Sequence, residues 1–81
     1  MNIWSKYKEG EPVEIFFKGR NVNALKKQIK IELKNQLRKF DINQITLRAP
    51  GEHESLRVEM LINEKFATSY VKPVVVETGK L

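Results

Sequence analysis

The sequence predicts a single α+β domain spanning residues 1–81, with a mixed sheet of four to five strands packed on one long helix. Three observations lead there. Apolar residues recur with a period of two through residues 1–18, shift to 3.6 at Asn21 and return to two near Gln44, ending in the β-branched run Val74-Val75-Val76. At 81 residues there is room for one small domain and no second. The composition is that of a globular chain: 41% of residues are apolar, and 15 Lys plus Arg stand against 10 Asp plus Glu, a net charge of +5.

The elements follow in order. Val13, Ile15 and Phe17 alternate with Glu14, Phe16 and Lys18, and Ile3 and Ser5 alternate with Trp4 and Lys6. Lys8-Glu9-Gly10-Glu11-Pro12 lies between them, with Gly10 expected to supply a positive φ, so residues 1–18 read as a hairpin. From Val22 to Phe40 the spacing is helical. Val22, Leu25, Ile29, Leu33, Leu37 and Phe40 fall within an arc of about 120° at 100° per residue, the width of a core-facing stripe. Asn21 or Asn23 is the expected N-cap, and Lys34, Arg38 and Lys39 sit near the C-terminus, where the helix dipole favours cations. Ile45 and Leu47 form a third strand that ends at Pro50-Gly51, which suits the middle of a type II turn. Leu56, Val58, Met60 and Ile62 alternate and are expected as a further strand over about 56–62, although the same residues also fit a helix. Asn63-Glu64-Lys65 reads as a turn, Phe66 and Tyr70 as a cap on the core, and Val74–Val76 as the buried last strand. A helical crossover between the hairpin and the rest requires the first and last strands to pair in parallel at the sheet centre.

Composition excludes several function classes. With no Cys there are no disulfides, thiolate nucleophiles or thiolate metal sites. The longest uncharged apolar runs, such as Ile15–Phe17 and Met60–Ile62, are far too short to span a membrane. The N-terminus carries no apolar stretch after a basic start, so a cytoplasmic protein without a membrane partner is expected.

The opening Met1-Asn2-Ile3-Trp4-Ser5-Lys6, the turn at Gly10, Val13-Glu14-Ile15, the helix start Val22-Asn23-Ala24-Leu25-Lys26-Lys27-Gln28-Ile29 and Gln44-Ile45-Thr46-Leu47 together resemble the ubiquitin-like β-grasp family. The likeness covers about residues 1–48, and beyond them only Val74–Val76. Asn21–Leu47 and the ending Val-Val-Val-Glu-Thr are further similar to the N-terminal ubiquitin-like domain that heads Crinkler-type effectors. The resemblance implies a non-catalytic interaction domain, one able to stand at the front of a larger protein. The chain departs from the family at its tail, Glu77-Thr78-Gly79-Lys80-Leu81, which lacks the paired glycines of conjugated members, so conjugation is not expected. It departs again at the family's apolar recognition patch, whose positions here hold Lys8, Thr46 and Glu77.

The remaining residues offer surfaces rather than chemistry. Lys26, Lys27, Lys30, Lys34 and Arg38 lie between about 100° and 220° around the helix, on the side away from the stripe. Over Lys18–Phe40 eight basic residues meet one acid, Glu32, giving this stretch +7 and the rest of the chain −2. Such a face is a solvated helix surface, a contact for an acidic protein, or a nucleic-acid site. It holds no aromatic for base stacking, and no Asn or Gln regularly spaced among the lysines for reading base edges. Ile31, at about 240°, is expected to be exposed, either as an isolated surface residue or as the centre of a basic-rimmed contact. Trp4 and Phe16 fall on the outer face of the hairpin, packed on each other or forming an adhesive patch. His53 stands between Glu52 and Glu54 with no second His, the glycines form no phosphate-binding run, and Ser5, Ser55 and Ser69 have no neighbouring base. No catalytic, cofactor-binding or metal-binding residue is therefore expected. The reading is a protein-interaction module using Trp4, Phe16, Lys27, Lys30, Ile31, Lys34 and Arg38. The competing reading is a small nucleic-acid-binding protein that uses the same basic helix, and the oligomeric state is left open.

Overall fold

Period-two patterning at both ends of the chain and helical spacing between them build a mixed four-stranded sheet and one principal helix in the computed structural model, which describes residues 1–63 and 66–79. β1 (Asn2–Tyr7) and β2 (Val13–Phe16) form the hairpin, with Ile3 opposite Ile15 and Trp4 opposite Glu14. β3 (Ile45–Arg48) and β4 (Val74–Thr78) pair antiparallel, and β4 lies parallel to β1, with Ser5 opposite Val74. The order is β2-β1-β4-β3. The first and last strands thus hold the centre in parallel, as the crossover requires.

The alternation sorts side chains cleanly. Ile3, Ser5, Ile15, Ile45, Leu47, Val74 and Val76 point inward and are buried with Val22, Leu25, Ile29, Leu33 and Leu37 from the helical region. Trp4, Lys6, Glu14, Phe16, Thr46, Arg48, Val75 and Glu77 occupy the alternate, outer positions. In the β1–β2 turn Gly10 N–H donates to the Tyr7 carbonyl at 3.1 Å, but the positive φ belongs to Lys8 (53°) and not to Gly10. What Gly10 relieves is crowding, since a Cβ there would lie 3.2 Å from the Tyr7 oxygen. The turn at Pro50-Gly51 forms as expected: Gly51 has φ 79° and Glu52 N–H donates to the Ala49 carbonyl at 3.1 Å.

α1 (Val22–Glu32) starts at Asn21, whose Oδ1 accepts from Ala24 N–H at 2.9 Å. The single helix expected over Val22–Phe40 is broken at Leu33 (φ −108°, ψ 36°), and one further turn, α2 (Lys34–Leu37), restarts from the Leu33 carbonyl. Two causes converge. Of the like-charged pairs four residues apart, Lys30–Lys34 is the one that spans Leu33, and it costs a continuous helix about 0.2–0.5 kcal/mol. The break also leaves Leu33 and Leu37 both buried, although Leu37 would stand at the edge of a straight helix's apolar stripe. A 3-10 turn at Ile42–Gln44 then leads into β3, fixed by Gln44 Oε1 accepting from Asp41 N–H at 3.0 Å.

Neither the strand nor the alternative helix forms over 56–62, so among the described residues the sheet has four strands, the lower of the two numbers expected. Helix termini explain this departure. The first N–H groups of a helix have no intrahelical acceptor, and here this segment supplies two: Val22 N–H donates to the Met60 carbonyl at 2.9 Å and Asn23 N–H to the Val58 carbonyl at 3.1 Å. Ile62 N–H returns to the Arg20 carbonyl at 2.7 Å. Isolated bridges join Asn21 with Leu61 and, just before the segment, Arg48 with Ser55. The turn expected at Asn63-Glu64-Lys65 includes residues 64 and 65, which lie outside the described residues. Phe66 packs on the core as expected, but Tyr70 is exposed and stands against Trp4 on the outer sheet face.

Candidate functional site

α1 lays its apolar stripe on the inner sheet face, and its lysines differ in exposure. Lys27 and Ile31 are exposed, Ile31 at 65%, and Lys30 is half-buried. Lys34 and Arg38 are exposed as well but lie beyond the break, Lys34 as the first residue of α2 and Arg38 as its C-cap. The basic face is thus two short segments. Lys26, counted on this face by its helical angle, is buried instead, only 5% exposed. It sits at the border of the apolar stripe, where a lysine's methylene stem packs well, and desolvation lowers the pKa of its amine. Among the described residues the ion pairs are Arg48–Glu77 at 3.1 Å and Arg57–Glu59 at 3.0 Å. None of the lysines of α1 is paired with a described carboxylate.

The outer sheet face divides into two halves. At its β3–β4 end Thr46 pairs in register with Glu77, whose carboxylate takes the Arg48 guanidinium, so this end is polar. At its β1–β2 end stand the aromatics. Trp4 and Phe16 share the face but lie two steps apart along the ladder, since Asn2 lies opposite Phe16 and Glu14 opposite Trp4. Trp4 does not stack on Phe16: its ring meets Tyr70 edge-on, with centroids 5.5 Å apart and planes at 81°. Trp4 N–H also donates to Thr68 Oγ1 at 2.9 Å, so the segment before β4 clamps this end of β1. Phe16 is 58% exposed, with the Lys18 ammonium 5.6 Å from its ring centroid. The cavities here are shallow. One of about 390 Å³ is lined by Lys6, Tyr7, Lys8, Val75, Val76, Glu77 and Thr78, too open to enclose a substrate. His53, Glu52 and Glu54 are exposed, and among the described residues no group of three His, Asp or Glu converges on one point.

The residues selected from sequence therefore fall on two sides of the molecule: Trp4 and Phe16 on the outer sheet face, and Lys27, Lys30 and Ile31, with Lys34 and Arg38 beyond the break, on the helical layer. Two further exposed groups were missed. Tyr70 and Val71 extend the aromatic end of the sheet, and Val58, Met60 and Leu61 stand at the N-terminal end of α1. Their alternation read as a strand's; the signal for another role was the adjacent pair Met60-Leu61, which no single sheet face can bury. No helix among the described residues is long and apolar enough to cross a membrane. Compared with known proteins, the chain matches no family model, no curated protein and no solved structure.

Proposed function

We infer that this chain is a ubiquitin-like β-grasp domain that works as a non-catalytic protein-interaction module, with the lysines of α1 docking an acidic protein surface. The strand order β2-β1-β4-β3 around a parallel central pair, crossed by one helix, supports the fold reading. The observation that carries the function is that Lys27 and Lys30 of α1 and Lys34 beyond the break have no carboxylate partner among the described residues. Cations held on a folded surface without carboxylate partners retain their full attraction for an incoming acidic group. Ile31 and, on the other side, Trp4 and Phe16 are apolar residues of the kind that anchor interfaces.

The test measures binding of polyglutamate and of a DNA duplex by fluorescence anisotropy over a range of salt. Polyglutamate is expected to bind in the presence of physiological salt and to weaken severalfold with Lys30→Gln/Lys34→Gln, while duplex binding disappears there. If about four lysines each displaced a phosphate counterion, log K would fall against log salt with a slope of about −3 to −4. Submicromolar duplex or RNA binding with that slope, lost in the double variant and indifferent to Trp4→Ala, would overturn the reading in favour of nucleic acid.

A further inference from the structure

Val58, Met60 and Leu61 are 46%, 38% and 66% exposed. They are not on a free loop. The Val58 and Met60 carbonyls accept from Asn23 and Val22, Ile62 N–H donates to Arg20, and Leu61 bridges Asn21. A backbone held this way needs little further ordering on binding, so the aliphatic side chains it presents serve as a preformed apolar seat. Asn23, whose N–H bonds to the Val58 carbonyl, stands on one side of α1 with Lys27 and Lys30 at i, i+4 and i+7, and Lys34 follows beyond the break at Leu33. Seat and lysines are therefore successive parts of one track. From Asn23 to Lys30 the helix rises about 10 Å, a distance that three or four extended residues cover.

We propose that the partner is an acidic peptide segment with an apolar anchor at one end, the anchor resting on Val58, Met60 and Leu61 and the carboxylates following over Lys27, Lys30 and Lys34. Charge fixes the direction. The seat segment's own Arg57 and Glu59 pair with each other, and Glu52 and Glu54 stand before it in the chain, whereas Lys18–Phe40, including Arg20 bonded to Ile62, carries +7. Carboxylates are favoured on the helix side of the seat and repelled on the other. The helix terminus does not compete for them. Its first four N–H groups already donate, to Met60, Val58, the Asn21 Oδ1 and the Asn21 carbonyl, so the lysine ammoniums are the groups left to read the peptide's charge.

This inference rests on the proposed acidic docking at α1, and the test separates the two. Three labelled peptides are titrated: a leucine pair followed by a run of glutamates, the same run with serines in place of the leucines, and the leucine peptide in reverse order. The leucine peptide is expected to bind about tenfold more tightly than the serine peptide, a difference of about 1.4 kcal/mol. Leu61→Ser and Val58→Ser should remove that advantage without changing the serine peptide. Both are exposed side chains in a segment held by backbone bonds, so an unchanged thermal midpoint establishes that the variants fold. Lys27→Gln/Lys30→Gln should weaken all three peptides. Equal binding of the leucine and serine peptides, or equal binding of the reversed one, overturns the seat while leaving acidic docking intact. Loss of lysine dependence overturns both. Leu61-dependent binding to phosphatidylserine vesicles that exceeds peptide binding would overturn the peptide assignment in favour of a lipid surface.

Discussion

Ser5 is fully buried in the middle of β1, and its Oγ has no hydrogen-bond partner among the described residues. A buried hydroxyl without a partner has lost its hydration for nothing, and removing the oxygen, which leaves only the alanine methyl, takes that cost away. Ser5→Ala should therefore raise stability by about 0.5–1.5 kcal/mol, read as a higher urea midpoint with unchanged slope; a lower midpoint would mean that the hydroxyl bonds within the core. Lys26 is the second polar group enclosed by apolar surroundings, and burial lowers its pKa below the ordinary lysine value. A base whose folded pKa is depressed holds fewer protons folded than unfolded just below pH 10.5, so stability rises with pH from the lowered folded pKa up to the ordinary one. Urea titrations across that alkaline window should show this rise in the wild type relative to Lys26→Met, where the amine is gone. Equal pH dependence in the two proteins would place the Lys26 ammonium in water.

Among the elements, those whose pattern concerns one face were legible in the sequence. The inward faces of the hairpin and the β3 and β4 cores follow from which residues must be buried, Ile31 emerges exposed for the same reason, and of the two expected caps Asn21 is the one that forms. The break at Leu33 was not legible, because the apolar stripe continues through Leu37 and Phe40 and only the stacked lysines argue against a straight helix. Nor was the 56–62 segment, whose conformation is set by the backbone needs of a helix distant in sequence. The same entanglement makes the α1 start a two-part structure. Asn21→Ala removes the acceptor for Ala24 N–H and should cost about 0.5–2 kcal/mol. It should also speed hydrogen exchange at the Val22 and Asn23 amides, which the neighbouring segment holds. Faster exchange at Ala24 alone would show that the segment keeps the helix start without the cap. Of the residues selected from sequence, Lys27, Lys30 and Ile31 come together because one helix carries them, while Trp4 found Tyr70 instead of Phe16 because the segment before β4 returns across β1.

For the molecule as a whole, charge is unevenly distributed. Eight basic residues and one acid lie between Lys18 and Phe40, and the radius of gyration is 11.3 Å, comparable to the Debye length of about 10 Å at 0.1 M salt. Below that concentration the cations repel one another through much of the fold. The thermal midpoint should therefore rise as NaCl increases from about 10 to about 200 mM, and Lys30→Gln/Lys34→Gln should flatten the rise. A midpoint that falls with salt would mean that attractive pairs dominate. The parallel pairing of β1 with β4 has a consequence of another kind, for biosynthesis. The Tyr7 hydroxyl meets Thr78 Oγ1 at 3.1 Å across 71 residues of sequence, and the sheet has no centre until both strands are present. As the chain leaves the ribosome, β1 emerges first and waits, joined only to β2, while the helix forms above half a sheet. Closure must come after synthesis of nearly the whole domain, and such distant pairing is slow. Until then the inner residues Ile3 and Ile15 are open to chaperones and to other nascent chains.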